Sequence, residues 1–267
     1  MAGVLIKLAG IDIGSRSIEF VLLNGDNNYD VIERFQAETS IDLSSQLRLI
    51  RERYTWDHLT STGYGRQLAQ KVLGGDVITE IKAYATAAYQ LHPTIETVID
   101  LGGQDTKALL INLKNGQLQK FEMNDKCSAG TGKFFEMMAG SLGLSLTELV
   151  SAALQGSKSI EINSTCTVFA ESEVISLLTS GVAIEDIARA IHEALLNKLV
   201  ALLSKVVRAD SSEILFVGGG AKNYAMVQFL SEAINKRVLV PEYPDYYGAY
   251  GAALHSKSLT KIREENI

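Results

Sequence analysis

The chain has 267 residues, of which 46% are hydrophobic and 21% are charged, a composition typical of a globular protein with one large or two modest domains. Its net charge of −6 argues against a general affinity for nucleic acid or anionic lipid. Because no run of about 20 apolar residues is present and Met1–Leu8 lacks the features of a secretion signal, we expect a cytoplasmic protein that binds neither membranes nor nucleic acids.

A strand-turn-strand unit appears twice along the chain. In the first copy an apolar strand reaches Asp12, a glycine turn follows at Gly14–Ser17, and a second strand at 18–23 ends in Asn-Gly, a hairpin signal. The second copy begins 88 positions later, counted from Asp12 to Asp100, and its second strand, 108–113, is again followed by Asn-Gly. The repetition predicts a duplicated α/β architecture, although two unrelated hairpins could resemble each other by chance.

Hydrophobic periodicity and capping signals place the other elements. We predict helices at 80–91, 133–139, 168–178 and 184–207, and a short buried strand at 214–217. With the duplication, this order predicts two lobes. Lobe I takes residues 1–92 together with a C-terminal helix at about 246–267, and lobe II takes residues 93–245.

Three glycine turns each follow an apolar strand. They read Asp12-Ile-Gly-Ser-Arg-Ser17, Asp100-Leu-Gly-Gly-Gln-Asp105 and Gly218-Gly-Gly-Ala221. Glycine lets backbone N–H groups approach an anion, and an aspartate that opens a turn suits Mg²⁺ held through water. Each turn alone is equally typical of a plain tight turn, and neither the Rossmann nor the P-loop spacing is present.

Taken together, the three turns resemble the phosphate-1, phosphate-2 and adenosine motifs of the actin, Hsc70, acetate kinase and sugar kinase superfamily. The resemblance implies that two lobes bind ATP or ADP with Mg²⁺, that Asp12 and Asp100 lie near the metal and the attacking water, and that Gln104 orients this water. The residues implied in nucleotide and Mg²⁺ binding are Asp12, Gly14, Ser15, Arg16, Ser17, Asp100, Gly102, Gly103, Gln104, Gly130, Thr131, Gly132, Gly218, Gly219, Gly220, Ala221 and Lys222.

The chain contains two cysteines, Cys127 and Cys166, and each precedes a predicted helix. Free N–H groups at helix N-termini stabilise thiolates, so the positions suit an anion or a metal cluster. A [4Fe–4S] cluster with cysteine ligands needs four thiolates, and a symmetric dimer of this chain would supply them. Two buried structural cysteines, or a zinc site shared across a dimer, are the alternatives.

The segments around the two cysteines, Met123–Gly132 and Ser164–Ile175, resemble the activator component of 2-hydroxyacyl-CoA dehydratases, which is grouped with the ATPase subunits of benzoyl-CoA reductase. Residues 62–66, 99–105 and 219–223 match further motifs of that family in order. The resemblance implies a homodimer with one [4Fe–4S] cluster held by Cys127 and Cys166 of both chains. It also implies ATP-driven transfer of single electrons to a partner iron–sulfur protein, with a ferredoxin or flavodoxin as donor.

Two departures from the family pattern stand out. Glu19 occupies a position where the family usually has lysine, and Arg16 lies where hydroxyl residues are usual, so Arg16 is a candidate phosphate contact. The segment Glu80–Ala85 lacks the cysteine and histidine of several members. These differences indicate a divergent branch, whose partner could be dehydratase-like, benzoyl-CoA reductase-like or a double-cubane cluster protein.

Two other functions are compatible with the same fold. One is a small-molecule kinase, which would need a catalytic acid and would have no use for Cys127 or Cys166. The other is a regulatory ATPase that senses redox state without delivering electrons. The scattered histidines are assigned no role: His58, His92, His192 and His255.

Overall fold

The computed structural model describes residues 6–25, 30–124, 128–162 and 166–265. The chain divides into two compact units. Unit 1 comprises residues 1–96, 111–118 and 245–267, and unit 2 comprises residues 97–110 and 119–244.

Unit 1 contains a five-stranded sheet in the order β3-β2-β1-β4-β5. Strand β1 pairs antiparallel with β2 and parallel with β4. Apolar side chains of β1 and β2 form a buried core with the first two helices. The strands are β1 Lys7–Ile13, β2 Ser17–Asn24, β3 Val31–Glu38, β4 His58–Gly63 and β5 Asp76–Val77, and the helices are α1 Leu43–Arg53, α2 Arg66–Leu73, α3 Glu80–Leu91 and α9 Tyr247–Glu265.

Unit 2 contains a five-stranded sheet in the order β10-β9-β6-β7-β8. Strand β6 pairs antiparallel with β7 and parallel with β9, and a large apolar core lies between this sheet and the helices. The strands are β6 Thr97–Leu101, β7 Thr106–Ile111, β8 Leu118–Asn124, β9 Glu213–Val217 and β10 Arg237–Leu239, and the helices are α4 Gly132–Leu142, α5 Leu146–Gln155, α6 Thr167–Thr179, α7 Ile184–Leu203 and α8 Tyr224–Ile234.

The two sheets repeat one topology, with β6 to β10 taking the places of β1 to β5. The turns after β1 and β6 close in the same way: Gly14 N–H donates to the Ser17 carbonyl at 2.9 Å, and Gly102 N–H donates to the Asp105 carbonyl at 2.9 Å. The similarity therefore extends from strand order to individual hydrogen bonds. The predicted duplicated α/β architecture is confirmed.

The predicted helices are present, and their ends differ by a few residues. Helix α3 has the predicted bounds, since Thr79 caps its N-terminus by accepting a hydrogen bond from Lys82 N–H. Helix α7 ends at Leu203, four residues before the predicted end. Beyond it the N–H groups of Lys205 and Val206 donate to the third preceding carbonyl, so the chain tightens into a turn.

Within the described residues, no single helix has the length and hydropathy of a membrane span. Helices α4 and α5 reach that hydropathy only as a pair, and the pair is bent by 84°.

Candidate functional site

The first glycine turn places a buried acid at the end of a central strand. Asp12, in β1, is 7% exposed. Gly63, at the end of the neighbouring parallel strand β4, has a φ of +86°, and a Cβ at that position would clash with Asp12 Oδ1. A Cβ at Gly248, in α9, would clash with Oδ2. Both glycines are therefore required by the close approach of backbone to this carboxylate.

Glu19 is the cross-strand neighbour of Asp12, and its side chain is buried as well. The Gln36 amide donates to Glu19 Oε1 at 2.9 Å and to Asp245 Oδ2 at 2.9 Å, so one amide bridges two carboxylates. Burial, followed by the charges of Asp245 and Glu19, raises the pKa of the Tyr246 hydroxyl. The first turn is thus more acidic than the family pattern implies, while Ser15 and Arg16 are exposed.

The second turn has the opposite charge at the equivalent position. Asp100 is the cross-strand neighbour of Lys107, and both are almost fully buried. The Lys107 ammonium lies 2.6 Å from Asp105 Oδ1 and 3.3 Å from Asp100 Oδ2. Lys107 therefore neutralises charge at the end of β6, which is a role that the sequence interpretation missed. The repeat itself carried the signal, since Lys107 is the counterpart of Glu19.

The third turn approaches the same aspartate from the neighbouring parallel strand. Gly218 follows β9 with a φ of +82°, and a Cβ there would clash with Asp100 Oδ1. Its N–H donates to the Pro244 carbonyl at 2.8 Å. Gly218 is thus the counterpart of Gly63 in unit 1. Asp100 and the third turn are brought together within unit 2, with Gly219 and Lys222 exposed.

Replacing Gly218 with alanine is expected to lower the free energy of unfolding by about 2 kcal/mol or more, because the new Cβ meets a buried carboxylate at a positive φ. Gly219→Ala is the matched control, since a Cβ at Gly219 has nothing within 4 Å, and its expected change is within about 0.5 kcal/mol. Denaturant unfolding of both variants measures the difference. Equal stabilities would contradict this account of Gly218.

The N-terminus of α4 is bonded to the second turn. Gly132 N–H donates to the Gly102 carbonyl at 2.8 Å, and Lys133 N–H donates to the Gly103 carbonyl at 3.0 Å. Thr131 N–H donates to the Ser128 carbonyl. Within the segment predicted to contact nucleotide at 130–132, Gly132 thus uses its N–H group to hold the second glycine turn in place, together with the neighbouring Lys133.

The residues that follow the two cysteines in the chain lie next to each other in unit 2. Cys166 is the N-cap residue of α6, is half-buried, and makes no side-chain capping hydrogen bond. The residue after each cysteine provides the contact: the hydroxyl oxygens of Ser128 and Thr167 are 2.9 Å apart. Cys127 lies outside the described residues, and those residues contain no group of three or more histidine, cysteine, aspartate or glutamate side chains that could hold a metal ion.

The match to a family model shows to which protein family the chain belongs. The model of the BadF/BadG/BcrA/BcrD ATPase family matches residues 9–256. The chain belongs to this family. The predicted enzyme class, an ATP hydrolase, is confirmed by the membership.

The chain is similar to characterised members of the family over nearly its whole length. It is 34% identical to the 2-hydroxyisocaproyl-CoA dehydratase activator of Clostridioides difficile, over 97% of each chain. It is 29% identical to one of the benzoyl-CoA reductase subunits of Thauera aromatica, over 92% of this chain and 91% of that protein. The resemblance inferred from the cysteine segments is therefore confirmed.

Solved structures agree with the family assignment. The activator of the 2-hydroxyisocaproyl-CoA dehydratase from Clostridium difficile, with bound ADPNP, matches with a TM-score of 0.87 and 32% identity, over 98% of each chain. A ROK-family glucokinase from Streptomyces griseus shares the fold at 13% identity, which shows the fold alone. The predicted actin-like and sugar kinase-like fold is confirmed for this family member.

Buried His192 is a further residue that the sequence interpretation left without a role. It lies in α7 with no exposed surface. Burial lowers the pKa of His192 to about 4, against the opposing effect of its hydrogen bonds to Ala188 and Asn223. The imidazole of this ATPase-family member is therefore neutral at physiological pH.

Proposed function

We propose that this chain is the ATP-dependent activator of a partner iron–sulfur enzyme, acting as a homodimer that carries one [4Fe–4S] cluster. The observation that carries the proposal is the 2.9 Å contact between Ser128 and Thr167. It joins the segments of the only two cysteines in the chain, although these lie 39 positions apart in the sequence. Relatives that are named dehydratase activators support the coupling to a partner enzyme.

The two cysteine thiolates of one chain would supply half of the ligands of a [4Fe–4S] cluster. Cys127 and Cys166 of each of two copies would hold the [4Fe–4S] group, because all-cysteine ligation takes four thiolates and one chain has two. When bound, such a cluster supplies one-electron redox chemistry at low potential. The thiol of Cys166 is available for this role, since it is not used to cap α6.

The glycine turns would bind ATP and ADP. The N–H groups of Gly14 and Gly102 close their own turns, so the other backbone N–H groups of Gly14–Ser17 and that of Gly103 would contact phosphates, and Gly218–Lys222 would contact the adenosine. Asp12 and Asp100 would hold Mg²⁺ through water. Gln104 and Arg16 are exposed, so both side chains can reach a bound nucleotide. Gln104 would orient the attacking water, and Arg16 would contact a phosphate.

The partner would accept electrons one at a time. We propose a dehydratase-like, benzoyl-CoA reductase-like or double-cubane protein as acceptor, with a ferredoxin or flavodoxin as donor, all in the cytoplasm. Glu19, which is buried beside Asp12, replaces the lysine usual in the family, and this difference supports a divergent branch. Electron-transfer assays with each of the three acceptor classes would identify the partner.

Anaerobic purification of the full chain tests the proposal. We expect a brown dimer with about four iron and four sulfide per two chains, measured by colorimetric assay and size-exclusion chromatography with light scattering. A colourless monomer that phosphorylates a small molecule would instead identify a kinase. A brown dimer without ATP-dependent electron transfer to any of the three acceptor classes would indicate the redox-sensing regulator.

A further inference from the structure

His192 has a single arrangement of protons that satisfies its neighbours. Its Nδ1 lies 2.8 Å from the Ala188 carbonyl oxygen, and its Nε2 lies 3.0 Å from the Asn223 side-chain nitrogen. A carbonyl only accepts, so Nδ1 carries the proton, and an amide NH₂ only donates, so Nε2 accepts. The neutral ring is thus both donor and acceptor within a fully buried site.

Asn223 connects this histidine to the third glycine turn. Its backbone N–H donates to the Gly220 carbonyl at 3.1 Å, within the turn itself. Its side-chain Oδ1 accepts from Met226 N–H at 3.0 Å and so caps α8. Since the other half of the amide donates to His192, the histidine fixes the orientation of the residue at which the turn ends and the helix begins.

The imidazole also contacts α4. The ring of Phe135 lies 4.6 Å from the ring of His192, measured between centroids. Phe135 is in the first turn of α4, two residues after Lys133, and the N–H groups of Gly132 and Lys133 donate to the carbonyls of the second glycine turn. His192 therefore contacts both the element that holds the second turn and the residue that ends the third.

We propose that His192 is a positioning residue for the nucleotide, which holds the third glycine turn in register with the second through Asn223 and α4. The inference rests on the proposed role of these turns in binding ATP and ADP. A turn made mainly of glycine has few side-chain contacts to keep it in one conformation, so a buried polar contact at its end reduces the entropy that binding must remove.

A matched pair of variants tests the role of the Nε2 acceptor. His192→Gln keeps a strong acceptor near the position of Nε2, whereas His192→Met has nearly the same length and offers only a weak thioether acceptor. We expect His192→Met to bind ADP with Mg²⁺ about five- to tenfold more weakly than the parent protein, because one buried hydrogen bond is lost. Binding by His192→Gln is expected to stay within about twofold of the parent.

Calorimetric titration with ADP and Mg²⁺, together with the thermal midpoint of each protein, separates positioning from general stability. A positioning role predicts that affinity follows the presence of the acceptor, and a purely structural role predicts that affinity follows the midpoint. Equal affinity in both variants, or affinity that follows the midpoint alone, would overturn the inference. A parent protein that does not bind ADP would instead overturn the proposed function of the turns.

Asn223→Ser provides a second, independent variant. Serine is also a preferred N-cap residue that can accept from Met226 N–H, and it removes the amide that donates to His192 without adding a charge. It is expected to weaken ADP binding by a factor similar to that of His192→Met, and the double variant is expected to be no weaker than either single one. Additive losses would show that the two residues act separately and would contradict the proposal.

Discussion

Replacing Cys166 with serine is expected to remove iron from the anaerobically purified protein and to abolish ATP-dependent electron transfer. One lost thiolate per chain leaves two thiolates in a dimer, where a [4Fe–4S] cluster with cysteine ligands needs four. Iron content, visible absorbance and reduction of an acceptor protein measure the effect. ADP binding is expected to remain within about twofold of the parent protein, because the substitution leaves all three glycine turns unchanged.

The structure indicates that the Cys166→Ser substitution does not destabilise helix α6. Cys166 is the N-cap residue of α6 and makes no side-chain capping hydrogen bond, whereas serine is among the preferred N-cap residues. Helix α6 should therefore be at least as stable in the serine variant. Cys166→Ala, which adds no cap, is the control, and both variants should lose iron equally. Full iron content in the alanine variant, whose side chain has no atom that can bind iron, would remove Cys166 from the ligand set and with it the proposed cluster.

Replacing Lys107 with methionine is expected to lower the free energy of unfolding by about 3–5 kcal/mol, because it removes a buried positive charge and leaves the carboxylates near it. The Lys107 ammonium lies 2.6 Å from Asp105 Oδ1 and 3.3 Å from Asp100 Oδ2, and all three side chains are at most 8% exposed. Typical domains are stable by about 5–15 kcal/mol, so the expected loss is a large fraction of the total stability. Denaturant unfolding followed by circular dichroism measures the loss.

Lys133→Met is the matched control for this prediction. Lys133 pairs with Glu136 at 3.2 Å on α4, but its side chain is 53% exposed, and solvent-exposed pairs contribute about 0–1 kcal/mol. The same chemical change is therefore expected to have a small effect at Lys133 and a large one at Lys107. Similar losses in the two variants would show that burial does not determine the strength of the Lys107 pairs.

Much of the fold could be predicted from the sequence, because the patterns that specify its helices and strands lie within short segments of the chain. Helix α3 has the predicted bounds since its cap and its alanine-rich interior lie within one short segment. The repeated strand-turn-strand unit predicted the duplication, and the two sheets have matching strand orders. The predicted C-terminal end of α7 was less accurate. The backbone hydrogen bonds there change from the i→i−4 to the i→i−3 pattern, and this change leaves no clear signal in the sequence.

The residues of the candidate functional site could be predicted only in part from the sequence. Asp12, Asp100 and the three glycine turns follow apolar strands and could be selected from the sequence. His192 could not, because nothing local distinguishes a histidine that will be buried from one that will be exposed, and Lys107 could be selected only through the repeat, as the counterpart of Glu19. Their roles depend on cross-strand register and on helix packing, which bring Lys107 to Asp100 and His192 to Asn223.

By itself, the sequence determined the strand and helix pattern, the repeat and the number of thiols per chain, since these depend on residue order and residue chemistry alone. The tertiary structure decided which charges neutralise each other and which segments meet. Ser128 reaches Thr167 and Asn223 reaches His192 across 39 and 31 positions of the chain, because packing of α4, α6, α7 and α8 closes distances that no local pattern encodes.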